Sequence, residues 1–163
     1  MSKTELTAER LRELLNYDPE TGVFTRLVRA ANKKAGDRAG CARGDGYLLI
    51  RVSGSLYLAH RLAWFYVHGA WPANKIDHID GVRDNNRIDN LRDATDAVNS
   101  QNIRSARAGS ASGLLGASKH KRSWSATIET GGVRHRLGTF STPELAHGAY
   151  LGAKRNMHEG CTI

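Results

Sequence analysis

No apolar stretch in this chain is long, and that limits the fold more than any other feature. The longest, Leu56 to Val67, is interrupted by His60 and Arg61. Nothing approaches the roughly 18 consecutive apolar residues of a membrane-spanning helix, so no membrane partner is expected. Hydrophobic residues still make up 40% of the 163 positions, enough for a core if several short strands and helices share it. The expected class is α+β, as one ordinary domain or two small ones.

Period and punctuation divide the chain. Residues 1–15 read as an amphipathic helix, with Thr7 as N-cap, Glu9 in the first turn and Leu11, Leu14 and Leu15 on one face. Residues 16–22 form a turn cluster holding Pro19 and Gly22, and residues 23–27 a strand. Residues 28–46 are rich in Arg, Lys, Gly and Ala and read as an exposed, mobile basic loop, either ordered on a phosphate backbone or simply solvated. Residues 47–52 and 55–58 make a hairpin about Ser53-Gly54. From Ala59 the period turns helical through Leu62, Phe65 and Tyr66, with a stop at Gly69. His60 and Arg61 open that helix, where free backbone N–H groups favour an anion. His60 either touches a phosphate there or satisfies a buried hydrogen bond.

Residues 75–79 and 90–94 suit two strands joined by a polar loop, and Thr95 suits the N-cap of a helix to about Ile103. Adjacent strand residues face opposite ways, so Asp77 and His78 diverge. Hydrolysis of a phosphodiester needs a base on one side of phosphorus and leaving-group stabilisation on the other. A histidine, with an ordinary pKa of about 6.5, is largely neutral near pH 7 and can deprotonate water. Carboxylate and amide oxygens are hard ligands for Mg²⁺ or Mn²⁺. An Asp-His pair on a strand can equally be structural, and spacing alone does not separate the two.

Lys and Arg total 24 against 16 Asp and Glu, a formal charge of +8 and a pI near 9.9. That excess suits a polyanion, because each cation placed on a phosphate releases counterions. Cys41 and Cys161 stand far apart, which excludes a cysteine-rich zinc knuckle and suits a reducing cytoplasm.

Residues 105–112 are small and polar, a linker by composition. Beyond it, Trp124, Ala126 and Ile128 alternate with Ser125, Thr127 and Glu129, Gly131-Gly132 makes a turn, and Arg134 and Arg136 alternate on the next strand. Thr142-Pro143 opens a helix that ends near Gly160. The expectation is a three-stranded antiparallel sheet backed by one helix. Its outer face would carry Ser125, Thr127, Arg134 and Arg136, with Lys119, Lys121 and Arg122 at the edge, a pattern for a major groove or for solvent.

Ala59-His60-Arg61, Asp77-His78-Ile79-Asp80-Gly81, Asn85-Asn86-Arg87, Asp89-Asn90-Leu91, Thr95 and Asn99 together resemble the HNH homing endonucleases of bacteriophages, members of the ββα-metal (His-Me finger) nucleases. The resemblance covers roughly residues 57–102, and residues 14–24 also resemble the leaders of phage members. It implies His78 as general base, Asp77 and Asn99 as ligands of one Mg²⁺ or Mn²⁺ ion, and Asn90 as the amide that bonds across the hairpin and orients the histidine. Residues 113–160, through Leu115-Gly116-Ala117-Ser118, Trp124 to Ile128, Leu137 to Phe140 and Pro143 to Ala146, resemble the DNA-binding domain of the plant Apetala and ethylene-response regulators.

The organisation expected on these grounds is an N-terminal helix, hairpin and basic loop at 1–46, a ββα-metal nuclease core at 47–104, a linker at 105–112 and a DNA-binding domain at 113–163. The function expected is site-directed cleavage of double-stranded DNA, nicking or cutting, by a phage-encoded monomer or homodimer in the cytoplasm of a bacterial host. The rival readings are a DNA-binding regulator that does not cut and a nuclease without site preference.

Overall fold

Thr7 caps the first helix as its position suggests, its hydroxyl accepting the Arg10 N–H at 3.2 Å. The computed structural model describes residues 5–163. Residues 1–4 of the helix expected over 1–15 lie outside the described residues, and α1 runs Ala8–Leu14. Residues group into two compact units, 1–95 and 96–163.

In the first unit, β1 (Leu15–Asp18) pairs antiparallel with β2 (Val23–Arg26). The turn expected over 16–22 is therefore only its second half, and Asn16 to Asp18 are strand. Tyr17 decides this. Its ring is buried 4.7 Å from Phe24 and 5.6 Å from Tyr66, and such packing overrides the turn preference of its neighbours. Asp18 then tightens the turn, accepting from Glu20 N–H at 3.0 Å and Thr21 Oγ1 at 2.7 Å.

The basic stretch is more ordered than expected. Gly36 N–H reaches Arg26 O at 2.8 Å, Ala39 N–H reaches Phe24 O at 2.8 Å, and β3 (Cys41–Ala42) joins β4 (Leu48–Val52) and β5 (Ser55–Leu58) in a sheet ordered β3-β4-β5. The helix α2 (Ala59–His68) follows directly and ends where Gly69, at φ 71°, turns its N–H back to Phe65 O at 3.0 Å. β6 (Lys75–His78) and β7 (Leu91–Ala94) form an antiparallel pair joined by the polar loop and a 3-10 turn over Ile88–Asn90. Leu11, Tyr17, Phe24, Ile50, Leu62, Ile76 and Leu91 belong to one buried cluster, so the N-terminal elements and the β6–β7 hairpin share a core.

The second unit opens on α3 (Asp96–Gln101). Three antiparallel strands, β8 (Ala117–His120), β9 (Ser123–Thr130) and β10 (Val133–Phe140), form a sheet ordered β10-β9-β8. Helix α4 (Pro143–Met157), capped by Thr142, covers one face through Ala146 and Tyr150 against Ala117, Ala126 and Trp124. The division between units falls after Thr95 and not in the small-residue stretch 105–112. Chain on either side of that stretch is bonded together: Gly160 N–H donates to Gln101 Oε1 at 2.9 Å, Arg104 donates to Thr162 O at 3.0 Å, and buried Lys154 donates to Ile103 O. Among the described residues no helix is long and apolar enough to cross a membrane.

Candidate active site

The β6–β7 register sets Asp77 opposite Arg92 and His78 opposite Leu91. Asp93 braces the entry to the hairpin, accepting from the N–H groups of Ala73 and Asn74 at 2.8 and 2.9 Å. Asp77 and His78 are both buried, and their surroundings differ as neighbours on a strand should. The Asp77 Oδ2 atom accepts both Nε and a terminal nitrogen of Arg92, at 2.9 and 2.7 Å. His78 meets aromatic rings instead: His60 edge-on at 5.0 Å between centroids, and Tyr47 at 5.8 Å.

Asn86, 1% exposed, gives His78 a polar partner, with its Oδ1 3.3 Å from Nε2. The Asn86 Nδ2 donates to Asp84 O at 3.1 Å, an arrangement that leaves Oδ1 as the acceptor. In that contact Nε2 is the donor. Burial holds the His78 pKa below its ordinary value, against the opposing pull of Asn86 and the carboxylates of Asp80, Asp77 and Asp84. The ring is therefore neutral at pH 7, the state a base requires.

Asn90 does bond across the hairpin, but to the loop. Its Oδ1 accepts the Asp80 N–H at 3.0 Å, and its Nδ2 donates to Asp80 Oδ1 at 3.0 Å and Asn85 O at 2.8 Å. Burial would raise the Asp80 pKa, yet the donors Val82 N–H, Asn85 and Asn90 hold it below the ordinary carboxylate value. The loop is thus locked around an ionised Asp80. A third anchor comes from far away in sequence. The Tyr17 hydroxyl donates to Asn86 O at 2.7 Å, and Gly22, at φ 71°, lies so close that a Cβ there would meet Asn86 C and Arg87 N at 2.5 Å.

His60 is buried and its Nδ1 has no hydrogen-bond partner. Burial, then the neighbouring His78 and Arg61, push its pKa down to about 3. Arg61 lies over the Trp71 ring at 5.8 Å. Arg83, a residue not singled out from the sequence, lies over the Tyr47 ring at 5.1 Å and donates to Asp45 O at 2.6 Å. Asn86 and Arg92 were also missed. Asn85-Asn86 entered as part of the family resemblance with no role assigned to Asn86, and Arg92 could have been placed opposite Asp77 once the two strands were paired. Asn99 lies on α3 in the second unit.

On the C-terminal sheet, Ala126 and Ile128 point to the helix. Thr127 pairs with Arg136, and Glu129 with Arg134, on the exposed face. Glu129 approaches Arg134 to 3.8 Å, an exposed pair of small energetic weight, and it puts one negative charge on an otherwise basic face. Lys119 pairs with Trp124 and sits over its ring at 4.6 Å, so it lies on the other side from Ser125, while Lys121 and Arg122 form the β8–β9 turn.

The comparison with known families falls on the hairpin and its flanks. Residues 57–101 match the HNH endonuclease family. The HNH segment runs from β5 to α3 and contains Asp77, His78, Asn86, Asn90, Arg92 and Asn99. It makes DNA the implied substrate and nuclease chemistry the implied activity. No curated protein and no solved structure matches the chain. Among the described residues no group of three or more His, Cys, Asp and Glu is placed to hold a metal ion. The site expected from the family resemblance draws on a different donor set, a carboxylate with an amide oxygen. Asp77 suits that chemistry, because a carboxylate offers about four lone-pair sites and both of these Arg92 contacts fall on Oδ2.

Proposed function

We propose that this protein is a metal-dependent DNA endonuclease of the homing type, directed to chosen sites in double-stranded DNA. The observation that carries the reading is His78, neutral and buried on β6 with Nε2 directed at Asn86, inside the segment that matches the HNH endonuclease family. His78 takes a proton from the attacking water. Asn86 holds the ring against rotation and fixes its tautomer. Asn90 holds the loop that carries Asn86. Asp77 and Asn99 are the residues that would hold one Mg²⁺ or Mn²⁺ ion, which when bound stabilises charge on the departing oxygen.

The C-terminal sheet supplies much of the affinity and site choice, through Thr127, Arg134 and Arg136 on its exposed face with Lys121 and Arg122 at the turn. Its likeness to the Apetala-type domain rests on the sequence elements quoted above. A phage origin and action in a bacterial cytoplasm complete the reading.

The test is conversion of supercoiled plasmid by purified full-length protein, with Mg²⁺ and with chelator. His78→Ala is expected to lose metal-dependent cleavage by at least a hundredfold while binding duplex DNA within about twofold of the parent. Cleavage by that variant at the parent's rate removes His78 from the mechanism. Mapping the ends on both strands distinguishes a nick from a double-strand break.

A further inference from the structure

The first unit carries a cationic concavity at the far end of the β4–β5 hairpin from His78. Tyr47, which packs on His78, immediately precedes β4, whereas Val52 and Ser53 line this pocket at the strand's other end, about 17 Å along at roughly 3.3 Å per residue. The cavity is about 170 Å³, several times the roughly 30 Å³ share of one liquid water. Four arginines line it, Arg10, Arg26, Arg29 and Arg51, and no carboxylate does.

Arg10 is partly neutralised by Glu13 at 2.6 Å, and Arg51 donates to Gly54 O at 3.2 Å. Arg26 differs. Its Nε is buried with no hydrogen-bond partner, although a buried guanidinium nitrogen left unpaired is costly. Among the described residues neither Arg26 nor Arg29 forms an ion pair. Like charges gathered around a hollow repel one another, and an anion with several oxygens relieves both the repulsion and the orphaned donor. Guanidinium forks match the geometry of such an anion.

We propose that this pocket binds a phosphate group, at a site separate from the cleavage centre. Where the phosphate belongs to DNA, which rests on the endonuclease reading, the pocket anchors the duplex backbone away from the bond that is cut. The first experiment needs no DNA. Inorganic phosphate is titrated into the full-length protein and binding is followed by calorimetry, for the parent, Arg26→Gln and Arg29→Gln. Arg29 is exposed, so its replacement leaves the core untouched if Arg26→Gln fails to fold. Saturable binding by the parent, weakened at least tenfold in Arg29→Gln, is expected. No saturable binding by the parent, or equal binding by Arg29→Gln, overturns the proposal. A second arm identifies the source, by measuring duplex binding with chelator present. A salt slope lower by about 0.9 in Arg29→Gln assigns the pocket to a backbone phosphate. An unchanged slope assigns it to free phosphate or a phosphorylated small molecule. Loss of the cleavage reading leaves the phosphate titration standing, because no turnover enters it.

Discussion

His60 links protonation to folding. Its pKa falls from 6.5 in the unfolded chain to about 3 in the fold because burial disfavours the charged ring. Between those values the unfolded state binds the proton and the native state does not, so stability is complete above pH 6.5 and declines as the pH falls toward 3. The loss from this one group is at most about 1.4 kcal/mol per pH unit. Urea midpoints measured from pH 7 to 4 are expected to fall more steeply for the parent than for His60→Phe, which keeps an aromatic ring and removes the titration. Parallel curves for the two proteins would count against the linkage. Asn86 is tested through turnover. Asn86→Ala removes one partner of the His78 ring and, on the proposed reading, is expected to lower kcat ten- to a hundredfold with little change in KM, since the amide contacts His78. A rise in KM alone would place Asn86 on the substrate instead.

At the scale of elements, the β1–β2 turn packs directly on the loop between β6 and β7, and Ile88 N–H donates to Pro19 O at 3.3 Å. Gly22→Ala puts a methyl group within 2.5 Å of backbone at Asn86 and Arg87 and forces a residue with a Cβ to φ 71°. We expect a loss of about 1–3 kcal/mol in stability and a cleavage rate reduced well beyond that of a neutral change on the same turn, such as Glu20→Gln. Equal rates for Gly22→Ala and Glu20→Gln would mean that the turn does not brace the loop. This contact also shows where sequence reading stops. Asp77, His78 and Asn90 were legible because a strand's alternation and a known family pattern mark them, and the Thr7, Gly69 and Thr142 caps were legible because caps are local. Asn86 and Gly22 were not, since their role depends on a meeting across more than sixty residues. Arg92 was hidden by register, and Tyr17 by a turn-rich neighbourhood that favoured the wrong local structure. The stretch 105–112 had the composition of a tether, yet Gln101, Arg104 and Lys154 bind its two sides together, and composition cannot see that.

For the whole molecule the question is how a chain of charge +8 spends its cations. Some are bound internally: Arg92 by Asp77 and Arg87 by Asp89 at 2.7 Å each. Others lie exposed on the C-terminal sheet: Arg136, and Arg134 with Glu129 3.8 Å away. Arg134→Gln combined with Arg136→Gln is expected to weaken duplex binding and reduce its salt slope by up to about 1.8, at roughly 0.9 per lost contact. Turnover at saturating DNA should stay near the parent's, because saturation offsets a weakened grip. A large fall in turnover with an unchanged slope would mean that the sheet serves the reaction and not the grip. The Tyr17 hydroxyl, finally, sets the smallest portable piece of this protein. A graft of residues 57–101 alone would carry the histidine into a new host without its brace at Asn86, whereas a transplant beginning at α1 would take both.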